Sequence, residues 1–234
     1  MSTDYGVIGP IIQSLQSTLP SKLGDSFNIL QTAEIVAGFE SASYYIGKMR
    51  QAEAVQSGLE LLSHAVAWKQ IDGLVMEFGV ASGRTINHIG ELLPNSTIYG
   101  FDSFDGLPET WRTGYGAGAF AQSLPATRPN VELVQGLFGD TLRGFLEAHG
   151  GDVALLHVDC DLYSSAKLIF TELNSRILPG TVIVFDEYIN YPGWQNDEFK
   201  AFQEFVDSTS ARYEYLGFVP SHQQVCVRIL SRET

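Results

Sequence analysis

From residue 74 onward, short apolar runs alternate with longer stretches that place an apolar residue every three or four positions. The runs are Leu74–Phe78, Thr97–Asp102, Val131–Gln135, Val153–Asp159 and Thr181–Asp186, each of strand length. Between them, Arg84–Leu93 repeats Ile86, Ile89 and Leu93, and Asp140–His149 repeats Leu142, Phe145 and Leu146. Ser164–Ile177 does the same with Ala166, Phe170, Leu173 and Ile177. These are the spacings of helices with one apolar face. Such alternation predicts right-handed crossovers and a parallel sheet with helices on both faces.

The two ends of the chain break the alternation. Residues 26–70 read as helix, with Val55, Leu59, Leu62 and Val66 at helical spacing. Near the other end, a helix over Asn196–Ser208 (Phe199, Phe202, Phe205) precedes two alternating runs, Tyr213–Phe218 and Gln223–Leu230. Only Val219-Pro220-Ser221-His222 separates those runs, too little for a parallel crossover, so a hairpin is expected. The predicted fold is α/β: a doubly wound, mostly parallel seven-stranded sheet closed by a C-terminal antiparallel hairpin. Residues 1–70 form an N-terminal helical extension, and residues 71–234 form the main domain.

Charge adds a location. The 234 residues carry 27 Asp+Glu against 14 Lys+Arg, a net charge of -13. Residues 1–70 hold four basic and six acidic groups, and residues 71–234 hold ten and twenty-one, so the acidity belongs to the sheet-forming part. Nucleic acid and anionic membrane surfaces are disfavoured partners, because both need clustered Lys and Arg. No run of 18 apolar residues predicts a membrane span. Met1-Ser2-Thr3-Asp4 does not open a secretory signal, and Cys160 and Cys226 read as reduced thiols, so a cytoplasmic protein is expected.

The first strand of the alternation leads into Glu77-Phe78-Gly79-Val80-Ala81-Ser82-Gly83-Arg84-Thr85, a turn on glycines that enters a helix. Glycines let the backbone approach a ligand, and the helix N-terminus offers unpaired N–H groups. The spacing Gly79-x-x-x-Gly83 is neither G-x-G-x-x-G nor a phosphate loop, since no G-K-[ST] follows. Glu77 before the turn suits a ligand with a cationic amine. The next strand ends at Asp102, where a carboxylate can accept from both hydroxyls of a ribose.

With the segment Tyr99-Gly-Phe-Asp102-Ser103-Phe-Asp105-Gly-Leu-Pro108, these residues resemble the class I S-adenosylmethionine-dependent methyltransferases. Within that class the chain looks most like the TylF-like (macrocin O-methyltransferase) group, over roughly residues 74–230. The resemblance implies a Rossmann-like methyltransferase fold with S-adenosyl-L-methionine as cofactor. Glu77, Gly79, Gly83 and Thr85 would surround its methionine part, Asp102 would hold its ribose, and Ser103 and Asp159 would be further cofactor contacts. Gly136-Leu-Phe138-Gly139 would border the adenine. A homodimer through the N-terminal helices also fits that family.

The remaining strand ends are acidic. His157-Val-Asp159-Cys-Asp161-Leu-Tyr163 closes one, and Asp186-Glu187-Tyr188 closes another. Carboxylates converging on one crevice repel unless protons or a cation compensate. A hard divalent ion such as Mg²⁺ takes oxygen ligands, which makes Asp159, Asp186 and Glu187 the metal candidates, with Asp161 as an alternative. A metal-bound hydroxyl has a lowered pKa, and Asp159 or His157 could take its proton. The resemblance implies the same Mg²⁺-assisted transfer to a hydroxyl of a small-molecule acceptor. Glu187 departs from the Asp or Asn usual there, and its longer side chain could shift the ion. Asp161, Tyr163, Tyr188 and Trp194 are the acceptor-contact candidates. Two other readings stand beside this one: a nucleotide-dependent oxidoreductase, which the missing third glycine opposes, and a non-catalytic cofactor-binding module, which would bind without transfer.

Overall fold

The computed structural model describes residues 28–233. The reading of Met1–Asp4 and the first part of the N-terminal extension, residues 1–27, lie outside the described residues. Helix α1 (Ile29–Tyr44) starts at Asn28, whose Oδ1 accepts from Leu30 N and Gln31 N. It runs into a π-helical turn, Tyr45–Met49. Then follow β1 (Glu53–Ala54), α2 (Gly58–Trp68), β2 (Leu74–Phe78), α3 (Arg84–Leu92), β3 (Ile98–Asp102) and β4 (Val131–Gln135). After these come α4 (Phe138–Ala148), β5 (Val153–Val158), α5 (Tyr163–Glu172), β6 (Val182–Phe185), α6 (Glu198–Thr209), β7 (Arg212–Phe218) and β8 (Val225–Ser231).

Residues 26–70 are therefore not one helix. Ser57 Oγ accepts from Glu60 N while Glu60 Oε2 accepts from Gln56 N, and this reciprocal cap starts a new helix at Gly58. Just before it, Glu53 and Ala54 pair with Gly217 and Phe218 of β7. That two-residue strand is too short to leave a periodic signal. It makes the sheet eight-stranded where seven were expected.

The strand order is β1-β7-β8-β6-β5-β2-β3-β4. Strand β8 runs antiparallel between β6 and β7, and every other pairing is parallel. Strands β2, β5 and β6 are buried along their whole length, as central strands covered on both faces must be. On one face Val75, Leu155 and Val184 pack with Leu61, Leu62 and Ala65 of α2 and Ile86 and Ile89 of α3. On the other, Met76, Leu156 and Phe185 pack with Leu142 of α4, Phe170 of α5, and Phe202 and Phe205 of α6. Helix α1 docks beside this second core, its Tyr44 ring edge-on to Trp194, Phe199 and Tyr215.

The carboxyl ends of β2, β3, β5 and β6 share one edge. Each of their following segments holds a non-glycine residue with positive φ: Ala81 (46°), Phe104 (61°), Asp161 (61°) and Asn190 (67°). Backbone held in this sparsely populated region is concentrated where the loops converge.

Candidate active site

Two cavities open at that edge. The larger, about 470 Å³, is lined by Asp102, Ser103, Gly136, Phe138, Asp161 and Glu187 among others. The second, about 460 Å³, is lined by Ser57, Ser82, Thr85, His157, His222 and Gln224 among others. Ala81, Asp159 and Asp186 border both. The two spaces therefore meet at a pair of carboxylates.

The first wall is built from backbone. Gly79 sits at φ +95°, and a Cβ there would stand 1.6 Å from the carbonyl oxygen of Asp159, so only glycine lets the β2 turn cross so close to the β5 tip. Asp102 Oδ2 accepts from Val80 N and Ala81 N, both at 2.8 Å, and its Oδ1 accepts from Phe104 N at 2.7 Å. One carboxylate thus fastens its own loop to the neighbouring glycine turn. Gly83, at φ +77°, ends that turn as the N-cap of α3.

Beneath the turn lies a buried pair. Glu77 Oε1 accepts from Thr85 Oγ1 at 3.0 Å, and Glu77 Oε2 lies 2.8 Å from His157 Nδ1. Burial pushes the Glu77 carboxyl up, against the His157 and Thr85 hydrogen bonds. Burial alone would lower His157, but bonding to Glu77 lifts it above its ordinary value. The two side chains are joined by one short hydrogen bond, both completely buried. Glu77 reaches neither cavity; Thr85 and His157 reach the second.

The second wall is acidic and poorly neutralised. A ring nitrogen of His157 and one oxygen each of Asp159 and Asp186 lie within 4.8 Å of one another. Burial, with Asp186 and Glu77 nearby, raises Asp159 well above the usual carboxylate range. Asp161 is pushed up to about 7, by burial and Asp186, with Arg112 opposing. Glu187 is raised well above its ordinary value by burial and the charge of Asp186, and its Oε2 is buried with no hydrogen-bond partner. Glu187 is not one of the converging trio; His157 takes that place. Asp186 is held by Gln224 of the β7–β8 connection, whose Nε2 donates to Oδ1 at 2.8 Å.

Three further residues contribute that the sequence patterns did not single out: Gln224, Asp197 and Glu198. Glu198, at the start of α6, is completely buried and accepts from Cys160 N (3.1 Å) and Glu187 N (3.3 Å). Asp197 Oδ2 accepts from Trp111 Nε1 and Tyr191 OH, both at 3.1 Å, and so ties the segment after Pro108 to the loop after β6. A signal for Glu198 was present. It shares a helix face with Phe202, Phe205 and Thr209, which makes it an acid on an apolar stripe.

The acceptor candidates divide. Asp161 lines the first cavity. Tyr188 and Trp194 are core residues, 0% and 2% exposed, and line neither cavity. Their aromatic loop packs inward because Tyr188 lies tilted against Phe185 and Trp194 meets Phe199 edge-on. Tyr163 bonds Glu204 through its hydroxyl, with Lys200 over its ring, and also lines neither. Cys160 and Cys226 are free, buried thiols.

Residues 76–188 match the family model described as a methyltransferase domain. With the sheet order above, this decides the matter. Residues 76–188 of the chain form a methyltransferase domain. Among solved structures it is similar to the calicheamicin methyltransferase CalS11, with 24% identity, 73% of this chain and 76% of that one covered, and a TM-score of 0.57. It is also similar to the O-methyltransferase NovP, with 21% identity, 74% and 79% covered, and a TM-score of 0.57. No curated protein sequence matches the chain. Among the described residues, no helix of the methyltransferase is long and apolar enough to cross a membrane.

Proposed function

We propose that this chain is an O-methyltransferase of the TylF-like group, moving the methyl of S-adenosylmethionine to a hydroxyl of a small polar acceptor with the help of Mg²⁺. The observation that carries this reading is the junction of two cavities at Asp159 and Asp186. A long cofactor lying along the first cavity brings its sulfonium end to that junction, where surrounding carboxylates favour positive charge. CalS11 is described as a TDP-rhamnose 3'-O-methyltransferase, which supports a sugar hydroxyl or a natural-product intermediate as acceptor.

Each residue then has a task. Gly136 and Phe138 border the adenine in the first cavity. Asp102 has three of its lone-pair directions taken by backbone N–H groups, so it accepts from one ribose hydroxyl, and Ser103 stands beside it. The turn from Gly79 to Gly83 and the N-terminus of α3 hold the methionine part, with Thr85 aimed by the buried Glu77. Asp159, raised in pKa and facing both cavities, receives the proton of the acceptor hydroxyl.

The donor set fits a divalent cation: oxygens of Asp159 and Asp186 converge, Glu187 with its unpartnered Oε2 lies alongside, and among the described residues no lysine ion pair neutralises them. Asp159 and Asp186 would hold it, with Glu187 or His157 completing the protein ligands. Such an ion, when bound, lowers the pKa of a coordinated hydroxyl and fixes its oxygen. Residues 71–234 are the catalytic domain in this reading, and the preceding helices are a cap. The exposed Ile29, Val36, Phe39 and Ile46 of the cap support a homodimer contact.

The test is calorimetry with S-adenosylhomocysteine, followed by mass-spectrometric detection of methyl transfer to a panel of hydroxylated acceptors that includes TDP-rhamnose. Binding is expected, with transfer that chelator abolishes and Mg²⁺ restores. Absence of binding sinks the reading. Binding without transfer to any acceptor leaves a cofactor-binding module instead.

A further inference from the structure

We propose that Glu198 is a positioning residue that sets the spacing between the two acid-bearing strand tips, and so the geometry of the cation and acceptor site. The inference rests on the reading of the Asp159–Asp186 junction given above. Its grounds are geometric. The β5–β6 ladder ends at Val158 and Phe185, with one more backbone bond from Asp186 N to Val158 O. Beyond that point Glu198 takes over the tie. Its Oε1 accepts from Cys160 N, the amide between Asp159 and Asp161, and its Oε2 accepts from Glu187 N, the amide next to Asp186. All four acids are therefore within one residue of an amide fixed by a single side chain.

The chemistry explains why that side chain is a glutamate. Both partners are N–H donors, and an ionised carboxylate offers two acceptor oxygens where an amide offers one oxygen and an NH₂ group that would oppose the second donor. A fourth anion beside Asp161, Asp186 and Glu187 is electrostatically unfavourable, and an apolar side chain would fill the same volume without that cost. A carboxylate is tolerated here because it bonds two amides at once and stands in the first turn of α6, where the helix dipole favours negative charge. Glu198 lines neither cavity, so its effect on chemistry passes through the residues it holds. It is distinct from Asp197, which fastens the outer wall through Trp111 and Tyr191.

Manganese is the probe, because Mn²⁺ substitutes for Mg²⁺ at oxygen sites and is read by electron paramagnetic resonance without any acceptor. Mn²⁺ affinity is measured on the full chain saturated with S-adenosylhomocysteine, beside calorimetric affinity for S-adenosylhomocysteine itself and the thermal midpoint. Glu198→Gln should weaken Mn²⁺ about tenfold or more, the size seen when outer partners of metal ligands are lost. Its S-adenosylhomocysteine affinity should stay within about twofold, since the adenosine wall is built from other loops. Glu198→Asp keeps two acceptor oxygens on a shorter arm and should recover part of the Mn²⁺ affinity. Equal Mn²⁺ affinity in wild type and Glu198→Gln, whatever happens to the midpoint, overturns the positioning role and leaves a structural one. If Glu198→Gln does not fold, Glu198→Asp decides alone: weakened Mn²⁺ with retained S-adenosylhomocysteine supports the role, and unchanged Mn²⁺ overturns it. Wild type that binds S-adenosylhomocysteine but no Mn²⁺ overturns the cation reading itself, an outcome separate from the failure of Glu198.

Discussion

The two walls of the crevice are built on opposite principles. On the wall that the proposal assigns to adenosine, Asp102 accepts from three backbone amides. On the methyl-transfer side, Asp159, Asp161, Glu187 and Glu198 are all raised in pKa by burial, and each feels at least one other carboxylate. The first wall has its central carboxylate fixed by backbone amides. The second is electrostatically unfinished, and what completes it is a proton or a cation. In the proposed reading, rigidity is placed where a cofactor is recognised, and unsatisfied charge where the reaction is driven.

Substitutions should separate the two walls. The largest expected effect is on the acidic side: Asp159→Asn should lower kcat/KM for methyl transfer by about 10²–10⁴-fold, the range for a lost general base. Calorimetric affinity for S-adenosylhomocysteine should change little. A large loss of affinity together with activity would merge the walls and defeat the comparison. On the adenosine side the signs reverse. Asp102→Ala leaves three backbone donors without their acceptor and should cost about 2–3 kcal/mol of stability in denaturant unfolding. Cofactor affinity should fall with it, and unchanged affinity would remove the ribose assignment.

The smallest effect is a pH dependence. Asp161 titrates near 7 in the fold, because burial and then Asp186 raise it against the pull of Arg112, and near ~4 in an unfolded chain. The folded chain holds a proton over that window that the unfolded chain has released. Stability is then fully present below the unfolded value and lost as pH rises through about 7. In chelator, the thermal midpoint should fall by a few degrees between pH 6 and pH 8, and saturating Mg²⁺ should shrink that fall. A midpoint that rises over this window in chelator would show these acids to be ionised and paired.

The sheet was readable from the sequence because its strands combine apolar runs with glycine punctuation. Leu74–Phe78 and Val131–Gln135 have the limits their residues predict, and the tip positions of Asp102, Asp159 and Asp186 follow from those limits. What was not readable depends on contacts across the chain. Gln224 bonds Asp186 over 38 positions, and Glu198 bonds Cys160 over 38. Tyr188 and Trp194 looked like a binding face because they sit in a loop after a strand. Their burial depends on Tyr44 and Phe199 closing over them, which no local pattern encodes. The trio at the junction includes His157, where the spacing of Asp186-Glu187 suggested Glu187. A glutamate one methylene longer than aspartate, with one oxygen sealed in protein, stands aside from it.

Strand β8 lies inside the sheet although it follows every other strand in the chain. The facing edges of β6 and β7 are therefore paired only through β8. The turn leading into β8 also delivers Gln224 to Asp186, so the insertion that seals the sheet also fixes that strand tip. A chain released before residue 225 would expose two unpaired inner strand edges and lack an oriented Asp186. Loss of this one strand is therefore expected to cost the sheet and the orientation of Asp186 together.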